Sequence, residues 1–150
     1  MVSLKDIEVF LREVNAEFPI PLSQKVDLSE LAVKFFEKAT LCCRCDQGRI
    51  IAMVAGYLDH TLDNMGYISL VATTTDARRK GYSSNLLRDF LKKASEKGLQ
   101  AVHVYTHESN MRAIGMYKKV GFVEYNPEYE PHPEDHHFIY YLNPKEGEQQ

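Results

Sequence analysis

The chain has no tryptophan, and only three cysteines, six prolines and eight glycines among its 150 residues. Cys42, Cys43 and Cys45 lie too close together for a disulfide framework, and an odd number leaves one unpaired in any case. Reduced thiols are expected. On a strand, Cys43 and Cys45 share one face and Cys42 points to the other, which suits packing and fits tetrahedral metal ligation poorly. Proline and glycine are too scarce for a disordered or fibrous chain. No apolar stretch approaches the roughly 20 residues that span a bilayer; the longest lies around Ile50–Tyr57. The opening MVSLKDIEVF lacks the basic segment, apolar core and small-residue cleavage site of a signal peptide, so a cytoplasmic protein with no membrane partner is expected. An excess of positive charge is missing too. Eighteen Lys and Arg against 21 Asp and Glu give a net charge of -3, which offers no general attraction to nucleic acid or anionic lipid.

What is present is the composition of a globular protein, 44% hydrophobic and 26% charged, at a length suited to one domain spanning 1–150. Ser3 with Asp6 makes a capping-box-like start, and Leu4, Ile7, Phe10, Leu11 and Val14 recur at helical spacing. A turn-rich FPIP segment, 18–21, follows. Asp27 with Glu30 starts a second helix, with Leu28, Leu31, Ala32, Phe35 and Phe36 as its apolar stripe. Ala39–Cys45 and Arg49–Asp59 read as a hairpin around Asp46, Gln47 and Gly48, and Tyr67–Thr73 reads as a third strand. A helix follows the RRKGYSS turn and stops at Gly98. Then come a strand at Ala101–Thr106, a helix at Ser109–Lys119, and strands at Val120–Tyr125 and His137–Leu142. The order ααβββαβαββ predicts an α/β (α+β) fold with helices flanking a mixed, mostly antiparallel central sheet. The stretch NPEYEPHPED, 126–135, reads as an acidic loop, and 143–150 as a flexible tail.

Two segments carry chemistry. The first runs strand, turn, helix, from Leu70 through Arg78, Arg79, Lys80, Gly81, Tyr82, Ser83 and Ser84 to Leu87. A turn opening a helix exposes unpaired backbone amides at the positive end of the helix dipole, where a phosphate or pyrophosphate binds. Gly81 suits a backbone that must approach such an anion, and Arg78, Arg79 and Lys80 supply charge. The same letters also suit a surface turn with solvated bases and Ser83 or Ser84 as a helix cap. Neither a Walker loop nor a Rossmann fingerprint is present, because the glycines are too few and the lysine precedes the glycine. In the second segment, Asn110, Ala113 or Ile114, and Tyr117 share one helix face. There Asn110 can hydrogen-bond an extended ligand or complete a cap, and Tyr117 can bring its hydroxyl near that ligand or sit half-buried.

Together the two segments resemble the GNAT superfamily of acyl-coenzyme A-dependent N-acyltransferases, over about 49–122. The resemblance rests on RxxGxS after a strand, then a strand, then N-x-x-A-x-x-x-Y spacing closed by Lys-x-x-Gly-Phe, here Asn110, Ala113, Tyr117, Lys118, Gly121 and Phe122. It implies a GNAT-like sheet in which the strand before the turn splays from its neighbour, and the backbone of Val71, Ala72 and Thr73 pairs with the pantetheine arm and acyl carbonyl. It puts the pyrophosphate at Arg79, Lys80, Gly81, Tyr82, Ser83 and Ser84, with Arg78 opening the motif. The family usually carries Gly or Ala where Ser83 stands; Ser is still small, and weaker agreement rather than lost binding is expected.

The activity implied is N-acetyl transfer from acetyl-CoA to a primary amine of a small-molecule acceptor by direct attack, with no metal. An amide near Thr73 would stabilise the oxyanion and Tyr117 would act as general acid. The base is open. Tyr105 stands where some family members carry a Glu, and His103, His107, Glu108 or a water relay are the alternatives, each histidine expected to be solvent-exposed. His132, His136 and His137 with Glu134 and Asp135 fit a metal poorly, since adjacent histidines on a strand point apart. The acids Glu128, Glu130, Glu134 and Asp135 read as a solvated loop that could border the acceptor pocket. A non-catalytic acyl-CoA-binding sensor or interaction module is the rival reading, and exposed strand edges offer a surface for a homodimer.

Overall fold

The computed structural model describes residues 2–59 and 62–142; the tail expected at 143–150 lies outside the described residues. Both early helices start where their caps predict. In α1 (Leu4–Val14) the Ser3 hydroxyl accepts from the Asp6 N–H at 3.1 Å while the Asp6 carboxylate accepts from the Ser3 N–H at 2.9 Å. In α2 (Leu28–Lys38) the Asp27 carboxylate accepts from the Glu30 N–H at 3.0 Å. Each cap satisfies amides that the helix leaves unpaired, an effect of about 1 kcal/mol. Between them, short 3-10 turns at Asn15–Glu17 and Leu22–Gln24 fill the proline-bearing connector.

Six strands form one sheet: β1 (Thr40–Asp46), β2 (Arg49–Tyr57), β3 (Met65–Thr73), β4 (Ala101–Thr106), β5 (Val123–Glu124) and β6 (His136–Tyr141). They lie side by side in the order β1-β2-β3-β4-β6-β5, antiparallel throughout except for the parallel pair β3 and β4. Helices α1 and α2 cover one face, where Ile7, Phe10, Leu11, Ala32 and Phe35 pack on Ile50, Met53, Leu70 and Ala72. On the opposite face, α3 (Tyr82–Glu96) and α4 (Met111–Val120) bury Leu87, Phe90, Leu91 and Ile114 against Val54, Ile68, Val102 and Val104. Each fully buried apolar side chain contributes roughly 1.5–3 kcal/mol before entropy is counted. The mixed, mostly antiparallel sheet and the order ααβββαβαββ are as the sequence predicts.

Three of the boundaries that differ from the sequence reading bear on the site. The strand expected over Val120–Tyr125 shrinks to Val123–Glu124, because Val120 closes α4 and Gly121, at φ 121°, turns the chain out of it. Helix α3 begins inside the RRKGYSS turn, with Gly81 as its N-cap. Helix α4 begins at Met111 rather than Ser109, with Asn110 as its cap.

One irregularity in the sheet shapes everything that follows. On β3, Ile68 is opposite Gly56 and Leu70 is opposite Ala55, so Ser69 is an extra residue without a partner on β2. Such a bulge reverses the alternation of side chains. Ile68 accordingly joins the core under α3, while Leu70 and Ala72 join the core under α1 and α2. The pairing of β3 with β4 ends at the same place, since Ile68 and Val104 are its last pair. Beyond them the two strands part as a fork.

Candidate active site

Along the β3 arm of the fork lies a cavity of about 430 Å³. Val71, Ala72 and Thr73 form the β3 arm, Asn110, Ala113 and Met116 come from the start of α4, and Val14 and Phe18 close it from the end of α1. Along the β3 arm, the backbone side turned toward β4 has no strand partner among the described residues, because β4 has already diverged.

At one end of this cavity stands the start of α3. Its first helical hydrogen bond runs from the Asn85 N–H to the Gly81 carbonyl, and no side chain caps it. The amide N–H groups before Asn85 are therefore left to outside partners, at the positive end of a 15-residue helix. Arg79 at φ 67° and Gly81 at φ 77° both take the left-handed conformation that turns this loop around the helix end. A Cβ on Gly81 would meet nothing within 4 Å, so conformation rather than crowding calls for glycine here. The hydroxyls of Ser83 and Thr73 hydrogen-bond, tying the end of β3 to the first turn of α3.

The sequence-predicted site residues are brought together with two exceptions and two qualifications. Arg78, Arg79, Gly81, Tyr82, Ser83 and Ser84 line the cavity, whereas Lys80 is exposed and does not. Arg78 lies across the rim, its guanidinium bonded to Glu17 at 2.8 Å, so part of its charge is already matched. Asn110 spends its side-chain oxygen on the Ala113 N–H at 3.3 Å, leaving its amide NH2 as the group available to a ligand. Tyr117 does not line the cavity. It is 3% exposed, packed on Phe122 and Phe138, with its hydroxyl at Thr106, two residues beyond the last β4 residue paired with β3. Burial raises the Tyr117 phenol, partly opposed by the Thr106 hydrogen bond, so the hydroxyl keeps its proton at neutral pH.

A second and broader cavity, about 1010 Å³, lies on the face of the sheet shared with α2. Tyr57, Tyr67, Tyr105 and Tyr125 wall it, with His103 and His137 in its floor. Tyr105 is the first β4 residue past the last β3–β4 pair, so this cavity reaches the fork. The sequence reading expects His103 and the acids of the 126–135 loop, Glu130 among them, at solvent. His103 is instead half-buried and His137 only 7% exposed. Glu130 leaves the acidic loop to accept from the Tyr105 hydroxyl at 2.7 Å, from the His132 N–H at 3.1 Å and from His137 Nδ1 at 2.6 Å. Burial works to raise the Glu130 carboxyl, but these hydrogen bonds outweigh it and hold it below the usual range. His137 Nε2 in turn meets His103 Nδ1 at 2.7 Å. Burial, followed by the neighbouring His137, pushes the His103 imidazole down to about 4.

The other base candidates lie elsewhere. His107 is occupied at the head of the α4 loop, accepting from the Ser109 N–H at 3.1 Å, and Glu108 is exposed; neither lines either of these two cavities. The signal for Glu130 and His137 was present only in part. Alternation along Ala101–Thr106 already put His103 and Tyr105 on one face. The register that sets His137 opposite Tyr105 required the fold.

An uncapped helix start beside a forked parallel strand pair, opening toward a second cavity, is a layout that can hold an extended, phosphate-bearing ligand with one end at the helix. Residues 7–122 match the acetyltransferase (GNAT) family, and the chain belongs to that family. Solved structures of the same fold include Ard1 from Thermoplasma volcanium, 23% identical with a TM-score of 0.73 over 95% of each chain. An aminoglycoside 6'-acetyltransferase type Ii is 11% identical with a TM-score of 0.76, over 95% of this chain and 91% of that one. The ribosomal-protein-S18-alanine N-acetyltransferase of Escherichia coli is 17% identical with a TM-score of 0.67, over 93% and 87%. No curated protein matches the sequence significantly. Among the described residues no helix is long and apolar enough to cross a membrane.

Proposed function

We propose that this chain transfers an acetyl group from acetyl-coenzyme A to the primary amine of a small molecule. The observation that carries the reading is the fork: its open β3 arm leads from the uncapped start of α3 to the tyrosine-walled cavity. The pyrophosphate sits against the amides of Tyr82, Ser83 and Ser84 with Arg79 beside it, while Lys80 adds charge from the surface. The pantetheine arm runs along Val71, Ala72 and Thr73 with the Asn110 amide across from it. The acceptor enters through the second cavity. Its concave tyrosine walls and volume suit a small molecule. Acceptors named for the similar structures include both an aminoglycoside and a ribosomal-protein alanine, so the fold alone does not choose between them.

In this reading the neutral amine attacks the thioester carbonyl carbon. Backbone amides on the β3 arm stabilise the oxygen as it gains charge, and Tyr117 gives its proton to the departing sulfur. A second reading, a protein that holds acyl-coenzyme A without turnover, draws on the burial of Tyr117. Thiol release from acetyl-CoA, followed in the presence of a panel of primary amines, separates the two. Amine-dependent release with a mass gain of one acetyl group on the amine supports transfer; acetyl-CoA binding without release for any amine supports the holder.

A further inference from the structure

We infer that Glu130, His137 and His103 form a proton relay whose outer nitrogen, His103 Nε2, is the base that accepts the amine proton. The inference rests on the transfer reading above. Its geometry begins at the carboxylate. Glu130 can only accept, so the 2.6 Å contact puts a hydrogen on His137 Nδ1. A neutral His137 then has its lone pair on Nε2, and the 2.7 Å contact puts a hydrogen on His103 Nδ1. The lone pair of a neutral His103 is thereby forced onto Nε2. That nitrogen has no partner among the described residues, is not one of the buried orphans, and belongs to a ring lining the second cavity.

The position agrees with the role. His103 is paired with Tyr67, one residue before the last β3–β4 pair, so its ring stands beside the point where the fork opens. Tyr67 lies 5.1 Å away between ring centroids, and Tyr105 stacks on His137 at 4.0 Å. These contacts, with the Tyr105 hydrogen bond to Glu130, hold both imidazoles in one orientation. Tyr105 occupies the strand position where a carboxylate base would be looked for; it delivers a carboxylate from the β5–β6 connection instead.

The step balances without another reactant. As the amine nitrogen bonds to the acetyl carbon and the carbon–sulfur bond breaks, the nitrogen's proton moves to His103 Nε2. The Nδ1 proton of His103 passes to His137 Nε2, and the positive charge comes to rest on His137 beside the Glu130 carboxylate. The thiolate takes its proton from Tyr117. Burial keeps His103 uncharged at neutral pH, so the acceptor is ready, and Glu130 supplies the charge that lets a buried pair hold the proton. His103 is the catalytic residue; His137 and Glu130 position and polarise it.

Two measurements on the full chain test this. Nitrogen-15 NMR of the histidine rings at pH 7 reads the tautomers directly. The relay requires protonated Nδ1 and bare Nε2 on His103, and protonated Nδ1 on His137; a His103 protonated on Nε2 overturns it. In the amine panel, His103→Gln lowers kcat about 100-fold, with the acetyl-CoA Kd, the amine KM and the unfolding temperature nearly unchanged. Glu130→Gln keeps a hydrogen-bond acceptor but removes the charge, and lowers kcat about tenfold with KM unmoved. Undiminished kcat in His103→Gln overturns the base assignment. Absence of thiol release by the unaltered protein with every amine removes the reaction itself and with it the base role, while the tautomers still decide whether the relay exists.

Discussion

Ile68 and Val104 are the last residues that β3 and β4 pair, and the unpartnered Ser69 follows at once. The bulge and the fork are one feature: the extra residue turns the β3 arm over and away from β4, and the cavity lies along that arm.

Gly56, opposite Ile68, makes that bend possible. A Cβ there would lie 2.5 Å from the Phe90 ring and 2.5 Å from the Tyr67 carbonyl oxygen. Gly56→Ala should destabilise the protein by about 2–3 kcal/mol, because neither a core phenylalanine nor strand backbone can yield cheaply. Urea unfolding measures this; a loss below about 0.5 kcal/mol would mean that β2 slides freely at the bulge.

Tyr117→Phe keeps the ring against Phe122 and Phe138 and removes only the hydroxyl at Thr106. Stability should fall by about 1 kcal/mol, and kcat in the amine assay by roughly 100-fold if the phenol protonates the leaving sulfur. Equal kcat in variant and parent would remove Tyr117 from the reaction.

The buried His103 links stability to pH. Burial and the neighbouring His137 hold its folded pKa at about 4, below the ordinary histidine value of 6.5. Between these values the unfolded chain takes up a proton that the folded one refuses, so stability falls as pH drops from 6.5 towards 4 and levels off below. The loss is on the order of 2 kcal/mol after discounting for the partial exposure of the ring. Urea midpoints at pH 7 and 4.5 should converge in His103→Gln relative to the parent; an unchanged difference would show that His103 is not the source.

The thiols should react unequally. Cys45 is exposed, whereas burial pushes Cys42 up to about 11 and Cys43 up to about 12. A thiol reagent at pH 8 should modify Cys45 quickly and the other two only on unfolding. Peptide mass mapping checks this, and rapid labelling at Cys42 would contradict the packing of β1.

The helices and their order were legible because their signals are local: Ser3 with Asp6 and Asp27 with Glu30 state where α1 and α2 begin, and apolar spacing states which face is buried. Val120, Phe122 and Val123 misled because β-branched and aromatic residues suit a strand, yet Gly121 had already been committed to ending α4. The turn proposed to bind phosphate, Arg78–Ser84, was legible as a motif, since its residues are consecutive. Glu130 was not, because its place depends on β6 pairing with β4, a contact between residues far apart in the chain. Charge alone marks such a residue as solvated until the register is known.

In the proposed function acetyl-CoA lies along the β3 arm with its pyrophosphate at the start of α3. Calorimetric titration with acetyl-CoA tests it most directly, run on the unaltered protein and on Gly81→Asp, which sets a carboxylate among the free amides and strains a residue at φ 77°. Saturable binding by the unaltered protein, weakened at least about tenfold in the variant by a like charge at the phosphate, is the expected result. Equal affinity for both would move the cofactor away from this helix, and no binding by the unaltered protein would contradict the account at its root.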